Sequence, residues 1–312
     1  MSLLLQAVVL SYVSIVPILM ATDMSLDLSS LQHLFFVLAG VVPFVVYACW
    51  RRMVAVPEIL VCMGSVLALA VPVLVWTYAA MRVGMPLADE RLVAMDAALG
   101  FDWHAFIAFV DARPWLADFL AFSYSSFYLQ LLFLPVVLSL FGRSRQACAM
   151  VFAYCVLCLI SSVVCIWYPA LGTYVVYGVA AEELAAINAK FGFFFLDQFH
   201  AVRQAGHFNL TLDEAAGIVT FPSVHAGVAA LCAWASWSLR WIRFPMLALN
   251  VGMAAAAVSH ANHYLIDVVA GVGIAGISAS LATAMFYRRV IGAHAGPSAV
   301  TALTFSPAAA SD

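Results

Sequence analysis

The sequence predicts an all-α protein, a polytopic membrane helix bundle with about eight transmembrane helices of ~20 apolar residues each. Composition, segment length and the placement of charge each lead there. Of 312 residues, 66% are hydrophobic and 9% are charged, where a soluble domain carries roughly 25% charged residues. The mean hydropathy is +1.04. The 13 Lys+Arg and 16 Asp+Glu are too few to cover a globule of this size, and the net charge is −3. A soluble enzyme, a disordered chain and a cationic nucleic-acid binder are thereby excluded. Cys49, Cys62, Cys148, Cys155, Cys158, Cys165 and Cys232 all fall in apolar stretches, so no disulfide framework is implied. The Cys155/Cys158 pair sits mid-span and reads as packing.

Eight apolar segments are long enough to cross a bilayer: 2–21, 31–50, 57–80, 116–140, 147–170, 222–239, 245–260 and 264–287. Each is expected to be a helix, because a lone spanning segment must satisfy its own backbone hydrogen bonds. The first has no basic residue ahead of it and no small-residue cleavage site after it, so it reads as a retained span. Arg51 and Arg52, Arg143 and Arg145, Arg240 and Arg243, and Arg288 and Arg289 follow alternate spans, which puts eight of the 13 basic residues on one side. The positive-inside rule makes that side, with both termini, cytoplasmic. The expected location is a plasma membrane of the bacterial inner type. The other side receives two long connections. Within them, 89–112 places Leu92, Met95, Leu99 and Trp103 at near-helical spacing among acidic residues, and 182–205 carries Phe193, Phe194 and Phe195. Both read as interfacial amphipathic helices. Residues 290–312 read as a disordered cytoplasmic tail.

Two polar stretches fall on the outer side at one depth. Thr220-Phe221-Pro222-Ser223-Val224-His225 opens the sixth span. Proline suits the first helical position, so the free N–H groups of that turn form an anion site. Thr220 or Ser223 adds a hydroxyl, and His225 projects from the same turn. The second stretch runs from His260 through His263 to Asp267, at the start of the eighth span. His263 and Asp267, four apart, share a helix face. A carboxylate beside an imidazole fixes its tautomer and raises its basicity, as a histidine nucleophile or base requires. Each stretch alone also fits an ordinary helix cap with an interfacial histidine. Together they bring His225 and His263 to one phosphate-sized gap if the two helix starts are adjacent.

FPSVHAG followed by HYLIDVVAG resembles the type 2 phosphatidic acid phosphatase superfamily, the lipid phosphate phosphatases, over roughly residues 57–287. In detail it is most similar to the inositol phosphorylceramide synthase branch, which tolerates FPSxH and carries Arg-x-x-Gly upstream, matched by Arg203 and Gly206. The resemblance implies a six-helix phosphatase-like core over 57–289 preceded by two added helices in 1–56. It implies that His263 attacks phosphorus, Asp267 orients it and His225 protonates the leaving alkoxide. Ser223 and the backbone after Pro222 would hold phosphoryl oxygens, with no metal and no cofactor. Water would then resolve the phosphohistidine in a phosphatase, and a lipid or sugar hydroxyl in a phosphotransferase, with the likeness leaning to transfer.

The chain departs from the phosphatase pattern in its cations. The first motif's Lys and Arg-Pro are missing; Tyr128, Gln130 and Pro135 stand in that region, and Ala257 replaces the third motif's Arg. Arg203 is the expected replacement as phosphate ligand. His260 is a further candidate for tuning the site. A zinc site of His225, His260 and His263 lacks a Cys or second carboxylate to complete it. The expected partners are a membrane lipid substrate and the bilayer, with no nucleic acid. The rival class is a non-enzymatic lipid translocator or scaffold that keeps the fold.

Overall fold

The computed structural model describes residues 1–53 and 55–293 and is almost wholly helical. Helices α1 (Ser2–Val13) and α2 (Ile15–Ala21) form the first apolar segment, and α3 (Gln32–Trp50) the second. After them come α4 (Ala55–Arg82), α5 (Asp89–Ala98), α6 (Trp103–Asp111), α7 (Pro114–Ser125), α8 (Phe127–Leu140) and α9 (Ser144–Cys165). The second half holds α10 (Thr173–Tyr177), α11 (Lys190–Phe193), α12 (Leu196–Gln204), α13 (Val224–Ser236), α14 (Arg243–His260) and α15 (Leu265–Ala293). Among the described residues, five helical segments are long and apolar enough to cross a membrane, or up to seven if the bent pairs α5–α6 and α7–α8 each count as one. The chain is an integral membrane protein built as a helical bundle.

About eight transmembrane helices are expected from the sequence, and the polytopic helical bundle is what the structure shows, with some of the segments short or bent. Every one of the eight apolar segments is helical, but α13 has 13 residues. At 1.5 Å per residue it is about 20 Å long, short of a hydrocarbon core of ~30 Å. In α14 the polar Arg243, Asn250, Ser259 and His260 dilute the apolar run. The segment 116–140 is broken at Ser126, where α7 and α8 meet at 59°. The expected single helix over 89–112 is also two, α5 and α6, bent by 83°. Gly100 there has φ +72°, and Asp102 caps α6 by accepting the Ala105 N–H at 3.0 Å. Over 182–205 the chain forms a 3-10 turn and the short α11 and α12 instead of one helix. Residues 294–312, most of the expected tail, lie outside the described residues.

The two ends of the bundle differ in chemistry. At one end Met1, Glu58, Arg145 and Met285 meet around a small cavity, Arg145 lies over Tyr287 and Phe141 packs on Trp241. The loops carrying Arg51, Arg143 and Arg240 belong to this end. At the other end a short parallel ladder pairs Met24–Leu26 with Phe208–Leu210. The Arg82 guanidinium gathers the loops there by donating to the carbonyls of Thr22 at 3.1 Å and Val202 at 3.2 Å, and to those of Ala205 and Gly206.

The core lies where α4, α8, α9, α13 and α15 pack, through Leu69, Leu134, Met150, Leu157, Leu231 and Ala275. The small-residue stripe Gly271, Ala275, Ser278, Ala282 lets α13 approach α15, as small residues do at membrane helix interfaces. A Cβ on Gly271 would stand 2.1 Å from the Ser223 carbonyl oxygen, and one on Gly227 would stand 2.7 Å from Leu157. The backbones of the two helices therefore touch directly. Gly271→Ala is expected to lower stability in detergent by about 1–3 kcal/mol, the usual cost of overpacking. Gly276→Ala, with nothing within 4 Å, is the control. Thermal unfolding of both variants checks this, and equal melting temperatures would contradict the close crossing.

Candidate active site

The α13–α15 crossing brings both polar stretches together. The Ser223 N–H donates to the Asp267 carbonyl at 3.0 Å, which levels the starts of the two helices. Ser223 is the N-cap of α13, and its hydroxyl accepts the Ala226 N–H at 3.3 Å. The helix thus begins at Val224 rather than at Pro222, which precedes the cap in a cis Phe221–Pro222 bond. The N–H groups of Val224 and His225 precede the first intrahelical acceptor. Neither has a protein partner among the described residues.

His263 Nδ1 lies 3.1 Å from Asp267 Oδ2, and Asp267 is fully buried. A carboxylate only accepts, so the proton sits on Nδ1 and the Nε2 lone pair is left free. The Tyr264 N–H donates to the same Oδ2 at 2.9 Å. His225 is held between two rings, Tyr124 stacked at 4.3 Å and 17° and Phe127 at 4.4 Å and 40°. The Tyr124 hydroxyl lies 3.3 Å from His225 Nδ1. The bend between α7 and α8 makes this clamp, because it turns Tyr124 and Phe127 toward one point.

Both histidines line one cavity of about 390 Å³. Its walls include Leu74 and Thr77 of α4, Tyr128 of α8, Tyr154 of α9, Phe191 and Phe195, and Thr220. Among the described residues, none that lines it is Lys, Arg, Asp or Glu.

The loop before His263 is fixed by residues that periodicity does not reveal. Asn262 adopts φ +67°, a left-handed conformation that asparagine tolerates. Its side chain accepts the Tyr174 N–H at 2.6 Å and donates to the Leu171 carbonyl at 2.6 Å. Gly172, at φ +91°, is pressed against it, and a Cβ there would stand 2.3 Å from the Asn262 carbonyl oxygen. Asp96 of α5 accepts the N–H groups of Leu265 at 2.9 Å and Ile266 at 2.8 Å, capping α15 from another helix. Asp89 accepts the Tyr264 hydroxyl at 2.8 Å and the Gly172 N–H at 2.9 Å. The sequence reads 89–112 as an interfacial amphipathic helix with acidic residues off its apolar side, and two of those acids, Asp89 and Asp96, are buried acceptors.

The other expected ligands divide between the cavity wall and places away from it. Arg203 on α12 donates to the Met85 carbonyl at 2.8 Å and lies 5.4 Å from the Phe199 ring. Partial burial lowers its pKa from the ordinary value, and it does not line the cavity. The Thr220 hydroxyl donates to the Ala170 carbonyl at 2.9 Å. His260 is buried beside Ser259, its Nδ1 2.9 Å from the Ser259 hydroxyl. Gln130 links α8 to α14 by accepting from Asn250 at 2.9 Å. Neither lines the cavity, whereas Tyr128 does. Among the described residues no three His, Cys, Asp or Glu side chains converge to hold a metal ion.

A family model described as the PAP2 superfamily matches residues 90–281, more than half of the chain, and both histidine stretches fall within it. No curated protein and no solved structure matches the chain.

Asp96→Ala leaves the Leu265 and Ile266 N–H groups without their acceptor, at a cost of about 1–3 kcal/mol for each buried group left unpaired. The expected outcome is a lower melting temperature together with a lower kcat, since the turn that carries His263 loosens. Circular dichroism melting and turnover of the same preparation check it; a variant matching wild type in both would contradict the capping role.

Proposed function

The chain belongs to the PAP2 superfamily, and on that premise we propose that it moves a lipid-linked phosphoryl group by way of a phosphohistidine at His263. Membership supports a phosphatase-type activity on a lipid phosphate. We propose further that the phosphoryl group passes to a second hydroxyl-bearing molecule. The observation that carries the proposal is the meeting of His225 and His263 in one cavity with Asp267 behind His263.

In the first half-reaction the His263 Nε2 lone pair forms an N–P bond while the bond from phosphorus to the leaving oxygen breaks. His225 gives its proton to that alkoxide. The Val224 and His225 N–H groups face the non-bridging oxygens, where preorganised donors stabilise developing charge. Asp267 holds the imidazolium that forms on His263. In the second half an acceptor hydroxyl gives its proton to His225 and bonds to phosphorus as the N–P bond breaks. Transfer is favoured by the aromatic walls, Tyr124, Phe127, Tyr154, Phe191 and Phe195, which make a poor path for water. The likeness of FPSVHAG to the transferase branch points the same way. The site lies at the end opposite Arg51, Arg143, Arg145 and Arg240; with the basic end cytoplasmic, the reaction takes place at the outer face.

A phospholipid panel labelled at phosphorus, incubated with purified protein in lipid nanodiscs, tests the reading. A new labelled lipid is expected, in preference to free phosphate. His263→Ala is expected to fall to background and His225→Ala to lose about 10²–10⁴-fold in kcat, the usual share of general acid–base catalysis. The pH–rate profile is expected to be bell-shaped, with one limb altered in His225→Ala. Labelled free phosphate alone would assign hydrolysis instead. Wild-type rates in both histidine variants would end the His263 mechanism, and no labelled product even with wild-type protein would leave a lipid translocator or scaffold as the remaining reading.

A further inference from the structure

We propose that Cys62 and Cys148 form a redox-active dithiol, which a peroxide closes into a disulfide between α4 and α9. The proposal concerns the basic end of the bundle and is independent of the phosphoryl-transfer reading.

The chain has seven cysteines, all free thiols. Most of them act as small apolar side chains. Cys158 and Cys232 are buried in the core. Cys165 donates to the Ser162 carbonyl of its own helix, and Cys155 lies 3.4 Å from the Ser11 hydroxyl. Cys49 is exposed. Among the described residues, only Cys62 and Cys148 put sulfur against sulfur, with their Sγ atoms 3.4 Å apart. One thiol donates to the other at that distance. A bond between them needs the sulfurs to approach by roughly 1.4 Å.

The two thiols differ in access. Cys148 stands one turn inside the start of α9 and Cys62 two turns inside the start of α4. At 1.5 Å per residue, both lie within roughly 11 Å of their helix starts. Cys62 is fully buried, and no cavity reaches it. Cys148 lines the cavity of about 240 Å³ at the basic end, with Glu58, Ser144, Arg145 and Met285. One water occupies about 30 Å³, so a small peroxide fits there. Arg145, three residues before Cys148, shares its face of α9. The thiolate is the reacting form, and a neighbouring guanidinium favours it. Glu58 in the same cavity offers a base for the thiol proton. An accessible thiol beside a cation, with a second thiol in contact behind it, divides the work of attack and resolution.

The chemistry balances with hydrogen peroxide as the oxidant. Cys148 Sγ attacks one peroxide oxygen, the O–O bond breaks, and the departing hydroxide takes up the thiol proton as water. Cys148 is then a sulfenic acid. Cys62 Sγ attacks that sulfur, the S–O bond breaks, and the hydroxyl leaves with the Cys62 proton as a second water. Two thiols are oxidised by two electrons and one peroxide is reduced. The basic end is cytoplasmic by the positive-inside rule, and in that compartment a disulfide is transient and redox-sensing.

The full chain in lipid nanodiscs is treated with hydrogen peroxide near neutral pH, alkylated and mapped as peptides without reductant. The expected result is a linked Cys62–Cys148 peptide lighter by two hydrogens, which dithiothreitol reopens. Oxidised protein is expected to melt above reduced protein, because the link joins residues 86 apart. In Cys62→Ser, dimedone is expected to label the sulfenic acid on Cys148, which has lost its resolving thiol. In Cys148→Ser, Cys62 is expected to stay a free thiol. The exposed Cys49 shows that the oxidant has acted. Oxidised Cys49 with Cys62 and Cys148 still alkylated as free thiols in wild-type protein would overturn the proposal. So would a dimedone label that persists on Cys148 in wild type, since the neighbouring thiol would then not resolve it.

Discussion

The close approach of α13 and α15 is the constraint on which the site depends. Gly271 has no side chain where the Ser223 carbonyl rests, and the Ser223 N–H reaches the Asp267 carbonyl. A larger residue at Gly271 would hold the helices apart and put His225 and His263 at different depths. The same contact explains the small residues that follow: Ala275, Ser278 and Ala282 are buried along the continuation of the crossing. On the far side Leu157 of α9 closes against Gly227. Packing in the apolar half of the bundle thus sets the register of polar groups at its end.

Polar satisfaction is the second organising demand. The site end is built from loops and short helices, whose N–H groups cannot all find backbone acceptors, and buried orphans are costly. Carboxylates fill the gap. Asp89 holds Leu171 and Gly172, Asp96 caps α15, and Asp111 accepts from Ala185, Ala186 and Ile187. The arginines do the converse for carbonyls. A net charge of −3 hides an end where fourteen acidic residues face five basic ones. Several of those acids are structural acceptors, and Arg82, Arg91, Arg113 and Arg203 each donate to backbone carbonyls. The cavity is left with imidazoles, hydroxyls and N–H groups.

Much of this was legible in the sequence. Segment lengths and arginine spacing gave the bundle and its basic end, and the two histidine stretches named His225, His263 and Asp267. The α7–α8 bend was not legible, because no proline or glycine marks Ser125–Ser126; with it went the Tyr124 and Phe127 clamp on His225. Asp89 and Asp96 were hidden by a pattern that suits a solvated helix face equally well. Asn262 stood between the two histidines, but its turn depends on Gly172, ninety residues earlier, which only the fold brings near. Arg203 matches the Arg-x-x-Gly spacing, but a spacing along the chain carries no information about where the guanidinium lies in the fold, and here it donates to the Met85 carbonyl. Proline suits the first helical position, but Ser223 is the better cap, so α13 starts two residues after Pro222.

The most direct measurement is an acid-free quench of the wild-type protein during turnover of a lipid labelled at phosphorus, followed by peptide mapping. The account predicts label on the peptide holding His263, stable in alkali, released by acid and absent in His263→Asn. Steady turnover with no label on that peptide, or the same label in His263→Asn, would contradict it.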